Sequence, residues 1–273
     1  MPAKLRHVSS RANPLIKELR RLTHEPSAYR KLGRVWLEGD HLCRALLARG
    51  LVPDEAVVTE AGWAEAAVCE IASQAQNVTV VDEASMREIS GLESPAPLGF
   101  LFTPATHDAP LPGQATIVLD GLQDAGNVGS VLRTAAALGV PQVIALKGTA
   151  ALWSPKVLRA GMGAHFGLRL VESASAAMLD LLEVPLVATS SHAGQHLHEL
   201  RLPQPCAWVF GHEGQGVDAA LLQRCALAVR IPQPGGEESL NVAAAAAICL
   251  YESVRQRLGP APLKETPGPG RAQ

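Results

Sequence analysis

With 273 residues, 47% hydrophobic and 18% charged, the chain has material for one large core or two smaller ones and is too apolar for a disordered polymer. No apolar run approaches the ~20 residues of a membrane span, and the opening Met1-Pro2-Ala3-Lys4-Leu5-Arg6 leads into charge rather than a secretory apolar core. The expectation is a cytoplasmic protein with no membrane partner. The net charge of −2 conceals an asymmetry: residues 1–50 hold 11 Lys and Arg against 4 Asp and Glu, a balance of +7. A basic block is most often a solvated face, but confined to one end it is also how a nucleic-acid-facing module appears. The five cysteines, Cys43, Cys69, Cys206, Cys225 and Cys249, are scattered singly, which suits buried small apolar residues rather than a disulfide or zinc framework.

In chain order, short strands are expected at Arg34–Glu38, Glu55–Thr59, Val78–Val81 and Leu98–Phe102, with helical patterns at Pro14–Leu22, His41–Ala48 and Trp63–Ala75. This reads as a small α/β domain over residues 1–103. Residues 104–114, rich in proline and without an apolar period, read as a linker. Beyond it, apolar runs at Thr116–Leu119, Gln142–Leu146, Leu168–Val171, Leu186–Thr189, Ala207–Phe210 and Ala228–Ile231 have the composition of buried parallel strands. Helices are expected between most of them, at Val128–Leu138, Pro155–Ala160, Ala174–Leu182 and Asp218–Cys225, with a last one at Ser239–Leu258. The second domain then spans 115–258, and residues 259–273, with repeated Pro and Gly, read as a flexible tail.

Ligands of open α/β sheets sit beyond the carboxyl ends of the strands, and three loops there are unusual. Asp120–Gly129 is rich in glycine and leads into a helix carrying Arg133, a cation in the early part of a helix where the dipole does not favour it. Gly211-His212-Glu213-Gly214-Gln215-Gly216-Val217 suits a tight turn whose backbone meets a ligand, with Glu213 either at that ligand or simply solvated. Ile231–Val242 opens an Ala-rich helix, with Ser239 most simply its N-cap and Asn241 pointing at a bound group or assisting the cap. Phosphate-loop, nucleophile-elbow and dinucleotide fingerprints are absent. His192, His196 and His198, near Glu199, are the one candidate metal cluster, but loops between strands often carry exposed His and no metal is expected. Aromatics are 4%, a poor supply for stacking single-stranded bases, so any RNA contact should run through shape and phosphates.

Together, "DAGNVGSVLRTA" (124–135), "GHEGQGV" (211–217) and "IPQPGGEESLNVAAAAAICLYE" (231–252) resemble the three ordered motifs of the SpoU, or TrmH-like, branch of the SPOUT methyltransferases. The opening "SSRANPLIKELRRL" with "RVWLEGDHLCRALLARG" resembles that family's ribosomal-protein-like substrate-binding domain. The resemblance implies an α/β fold with a parallel-sheet carboxyl-terminal domain containing a deep trefoil knot, a homodimer, and S-adenosylmethionine-dependent methylation of a ribose 2′-hydroxyl in ribosomal or transfer RNA. Carried over position by position, it assigns Asn127, Arg133, Glu213, Ser239 and Asn241 to the polar catalytic set. It assigns Gly211, Ile231 and Leu240, with Thr189 as a further contact, to the methyl donor. Ala125 replaces a common Pro and Leu98 a frequent Gln; neither belongs to the polar set. The alternative, a non-catalytic RNA-binding protein retaining the fold, predicts an eroded polar set, and here Asn127, Arg133, Glu213 and Asn241 are all present.

Overall fold

The computed structural model describes residues 4–236 and 239–259, so most of the expected tail lies outside the described residues. The first unit is a five-stranded sheet of β1 Lys4–Val8, β2 Val35–Glu38, β3 Glu55–Thr59, β4 Asn77–Val81 and β5 Leu98–Phe102, in the order β1-β4-β3-β5-β2. β1, β4 and β3 are parallel, while β5 runs antiparallel to β3 and β2 antiparallel to β5. Helices α1 Pro14–His24, α2 Ala28–Leu32, α3 Asp40–Leu47, α4 Glu60–Ala64, α5 Ala66–Ala72 and α6 Glu83–Ile89 accompany it. α1 shows how local chemistry fixes an element. Asn13 accepts from the Leu15 N–H at 2.9 Å, Pro14 takes the first position where its missing N–H is harmless, and Ile16, Leu19 and Leu22 are buried at helical spacing.

The second unit is a seven-stranded, all-parallel sheet of β6 Thr116–Asp120, β7 Gln142–Leu146, β8 Arg169–Ala174, β9 Leu186–Thr189, β10 Gln195–His196, β11 Ala207–Gly211 and β12 Leu227–Arg230. Its order is β10-β12-β9-β11-β6-β7-β8. The chain therefore fills one side of β6 with β7 and β8 and the other with β11, β9, β12 and β10. β6 and β11 flank the switch point, and Gly211 pairs with Asp120 there. Helices α7 Ala125–Ala137, α8 Pro155–Gly161, α9 Ala219–Arg224 and α10 Val242–Leu258 cover the sheet. α7 lies close against α8 because Gly129 has no side chain; a Cβ there would come within 2.5 Å of the Ala160 Cβ and 2.8 Å of the Val157 carbonyl oxygen.

Several expectations need correction. The pattern Trp63–Ala75 is two helices, broken at Glu65, whose extended backbone (φ −85°, ψ 121°) cannot continue a helix. Ala174 ends β8, and Ala176–Leu182 winds as a 3-10 helix; Ser175 supplies no side-chain cap to hold an α-helical first turn. The last helix starts at Val242, and its N-cap is Asn241 rather than Ser239. β1, α2, α6 and the two-residue β10 lie outside the elements expected from the sequence. In β1, Leu5, Arg6 and His7 are all exposed, and the strand is held by its register with β4 and by Arg6, which meets the buried Glu55 at 2.5 Å.

Residues between β5 and β6 carry no regular element but are fastened to the second unit. Leu111 exchanges hydrogen bonds with the Gln142 side chain, the Ala109 carbonyl accepts from Arg169, and Gly113 N–H donates to the Leu182 carbonyl. The core of the first unit and one face of the second sheet form a continuous cluster, while the other face of the second sheet, with Val118, Ile144, Val171 and Val209, packs as a separate one. At the junction Phe102 meets Phe166 edge-on at 6.1 Å, and Phe166 lies 6.4 Å from Trp153.

The charge asymmetry also looks different in three dimensions. Of the cations in residues 1–50, Arg6, Arg11, Arg20, Arg21, Arg30, Arg34 and Arg44 each face a carboxylate within 4 Å, with Glu55, Glu88 and Glu172 supplied from later in the chain. Lys17 and Lys31 are exposed and have no such partner among the described residues.

Candidate active site

The β6 and β11 loops meet at the switch point, and the meeting is built from the backbone outward. The Asp218 N–H donates to Asp120 Oδ2 at 2.8 Å, tying the exit of the second loop to the end of β6. Asp124 caps α7 by accepting from the Asn127 N–H at 2.6 Å, which fixes the direction of the Asn127 side chain. Asn127 Nδ2 donates to Glu213 Oε1 at 3.2 Å, and Asn127 Oδ1 accepts from Asn241 Nδ2 at 3.0 Å. Asn241 is in turn oriented by its cap, its Oδ1 accepting from the Ala243 N–H at 2.9 Å and the Ala244 N–H at 3.3 Å. Three helix starts and turns far apart in sequence thus present one linked row, Asn241–Asn127–Glu213.

Partial desolvation would raise the Glu213 carboxyl, but hydrogen bonds from its own backbone N–H, from Asn127 Nδ2 and from the N–H groups of Gln123 and Asp124 outweigh it and hold the group below the ordinary carboxylate value. Glu213 is therefore an anion that accepts only, and that fixes Asn127 with its amide nitrogen toward the carboxylate. The turn carrying it is closed by the Gly216 N–H, which donates to the His212 carbonyl at 2.8 Å, and by the Gly214 N–H, which donates to His212 Nδ1 at 3.0 Å.

A cavity of about 910 Å³ opens beside this row. Thr189, Gly211, Ile231 and Leu240 all line it, as do Glu213, Ser239 and Asn241. Arg133 does not join them. It lies on the exposed face of α7, six residues beyond Asn127, or about 9 Å along the helix, and makes neither an ion pair nor a side-chain hydrogen bond among the described residues. Glu213 therefore orients Asn127 and not Arg133.

Sequence reasoning missed Asp120 and Asp124, although Asp124, three residues before Asn127 and directly before a helical pattern, carries a recognisable N-cap signal. The histidine loop does not gather around an ion. His196 meets the Arg230 guanidinium at 2.8 Å and stacks on His198 at 5.8 Å, and among the described residues no group of three or more His, Cys, Asp or Glu is placed to hold a metal. Nor, among them, is any helix long and apolar enough to cross a membrane.

A parallel sheet with a polar row at its switch point and a roomy cavity beyond the ends of β9, β11 and β12 has the form of a ligand-binding α/β protein, and known proteins narrow the class. Residues 114–251 match the SpoU rRNA Methylase family and residues 13–98 the MRM3-like substrate binding domain. The chain belongs to the SpoU rRNA methylase family. It is 34% identical over 261 residues, covering 92% of this chain and 94% of the relative, to a Synechocystis protein named as an uncharacterized tRNA/rRNA methyltransferase. Over 147 residues it is 42% identical to the 23S rRNA (guanosine-2′-O-)-methyltransferase of Bordetella pertussis, covering 52% of this chain and 60% of that one. Among solved structures, the AdoMet-bound rRNA methyltransferase from Sinorhizobium meliloti superposes with a TM-score of 0.79 at 26% identity, covering 93% of this chain and 98% of that chain.

Proposed function

We propose that the protein transfers a methyl group from S-adenosylmethionine to a ribose 2′-hydroxyl of ribosomal or transfer RNA, working as a cytoplasmic homodimer whose second unit contains a trefoil knot. The observation that carries the reading is the Asn241–Asn127–Glu213 row at the lip of the cavity. The donor fits the cavity by size and chemistry. About 910 Å³ suits a nucleoside-sized ligand, and the walls mix Ile231, Leu240 and Val229 with loop backbone around Gly211. Thr189, Gly211, Ile231 and Leu240 would hold it, and it supplies an electrophilic methyl group when bound.

The chain's own residues must then place a weakly acidic hydroxyl in line with that methyl and manage its proton. Asn127, locked by Glu213 on one side and Asn241 on the other, offers a fixed amide for orientation rather than a titratable group. Ser239, exposed at the cavity wall, contributes a hydroxyl beside Asn241. The exposed Arg133 guanidinium, outside the row, suits a clamp on the substrate phosphate that also stabilises developing alkoxide charge. The dimer is supported by α10, which leaves Ile248 40%, Tyr251 61% and Leu258 78% exposed along one face.

The test is incubation with methyl-labelled donor and total RNA from a strain lacking the gene, followed by mapping of 2′-O-methyl sites. Label in ribose at a discrete position is expected. A folded, donor-binding protein that labels no RNA refutes the reading, and label confined to bases refutes the ribose assignment.

A further inference from the structure

The junction between the two units converges on one carboxylate. Glu172, on β8, has 18% of its side chain exposed, and its Oε1 accepts from the Tyr29 hydroxyl at 2.5 Å, from Arg30 Nη2 at 3.2 Å and from the Leu152 N–H at 2.8 Å. Burial, reinforced by the neighbouring Glu172, pushes the Tyr29 phenol well above its ordinary value, so Tyr29 is the donor. Tyr29 and Arg30 belong to α2 of the first unit. Leu152 belongs to the loop 147–154 of the second. That same loop holds the Asp120–Asp124 loop in place: the Ala150 N–H donates to the Leu122 carbonyl at 2.8 Å, and Thr149 Oγ1 accepts from the Gly121 N–H at 3.2 Å while donating to the Leu119 carbonyl at 2.9 Å. The Asp120–Asp124 loop then offers the Gln123 and Asp124 N–H groups to Glu213, and Asp124 caps Asn127. A continuous series of hydrogen bonds runs from α2 to the Asn127–Glu213 pair.

We propose that Glu172 is a positioning residue for methyl transfer, fixing loop 147–154 to the substrate-binding unit so that the Asn127–Glu213 pair takes its working geometry from the docked first unit. The inference rests on the reading that these loops carry the transfer. A brace alone would be served by apolar packing, which Phe102, Phe166 and Trp153 already provide without direction. A shared carboxylate adds direction, because hydrogen bonds to an anion are about twice as strong as neutral ones and each donor must point at the same oxygen.

The test uses the full chain with Tyr29→Phe, Glu172→Gln and Glu172→Ala. The readouts are single-turnover transfer at saturating RNA and donor, donor and RNA affinity, and amide exchange in segments 117–124 and 147–154. Tyr29→Phe is expected to slow saturated transfer about tenfold, the loss of one hydrogen bond to a charged group, and Glu172→Ala, which removes all three, at least as much. Both affinities should stay within about twofold of wild type, and exchange should quicken in both segments. Glu172→Gln keeps an acceptor for Leu152 and should recover most of the rate. A lower melting temperature with saturated transfer within twofold of wild type in Tyr29→Phe would overturn the proposal and leave a brace. Should Glu172→Ala fail to fold, Tyr29→Phe and Glu172→Gln decide by the same criteria. A wild-type protein that transfers no methyl group would instead overturn the proposed function. Amide exchange then still judges the coupling: unchanged exchange in 117–124 for Tyr29→Phe sinks it.

Discussion

Gly211→Ala should damage the site through its own loop before any ligand is considered. A Cβ on Gly211 would stand 2.1 Å from the Gly216 carbonyl carbon, 2.1 Å from the Val217 nitrogen and 2.2 Å from the Gly216 oxygen. Ordinary van der Waals separation is roughly 3.5 Å, and all three neighbours are backbone, so no rotamer change relieves the clash. The 211–217 turn must open by more than an ångström. Glu213 holds Asn127 and the Gln123 and Asp124 amides at 3.2–3.5 Å, near the outer limit of a hydrogen bond, and a shift of that size breaks all three. Overpacking of this kind costs about 1–3 kcal/mol, and donor affinity should fall at least about tenfold as the cavity wall is displaced. Gly214→Ala is the control: its Cβ would meet only the His212 ring, at 3.8 Å, so stability should stay within ~0.5 kcal/mol. Urea unfolding of the two variants and calorimetry with S-adenosylmethionine read both effects. If Gly211→Ala matched Gly214→Ala in stability and donor affinity, the steric argument would be wrong.

Arg133→Ala should abolish transfer while leaving donor affinity and fold intact, since Arg133 touches neither the cavity nor the polar row; Arg133→Lys should recover only part, lacking the planar fork, and activity within a few-fold of wild type in Arg133→Ala removes the role. His165 is fully buried, and burial holds its pKa down at about 4 against a smaller opposing effect of the Leu152 carbonyl. The unfolded chain therefore binds a proton that the native one refuses, so stability should fall as pH drops from ~6.5 toward 4, by up to about 1.4 kcal/mol per pH unit. Urea unfolding across that range should show a slope that His165→Gln flattens, and a wild-type slope unchanged by the substitution counts against it. RNA affinity should fall steeply with salt. Neutralising Lys17 or Lys31 should reduce the slope by about 0.7–0.9 for each phosphate no longer paired with a cation, and filter binding over a salt series that shows parallel slopes would mean these lysines face water only.

The second unit is legible in the sequence because its central strands β6, β7, β9 and β11 are buried on both faces and so appear as plain apolar runs, and because Gly-rich loops stand out against them. Asn127, Glu213 and Asn241 can be named from pattern and resemblance, but not their linkage, which depends on β6 and β11 lying side by side although their loops are far apart in the chain. Ser239 resembles the cap since serine is a favoured cap and a helical pattern begins nearby; the choice between it and Asn241 depends on where the chain turns into α10. The basic first fifty residues have the composition of a surface for phosphates, whereas Glu55, Glu88 and Glu172, distant in sequence, return to Arg6, Arg11, Arg20 and Arg30, half of their arginines. Charge counted along a chain omits partners brought by folding. β1 is hidden because a five-residue edge strand of alternating Lys, Leu and Arg has no apolar run to betray it.

The row Asn241–Asn127–Glu213 joins residues 86 and 114 positions apart, and this has a consequence in time. None of its hydrogen bonds can form between neighbours, so a growing chain holds no complete polar row until residue 241 has emerged and α10 has settled beside α7. Long loops must close before such pairings return any free energy, which places them late in folding. Recovery of enzymatic turnover on refolding should therefore lag behind recovery of helical signal, making activity itself the clock for the final docking step.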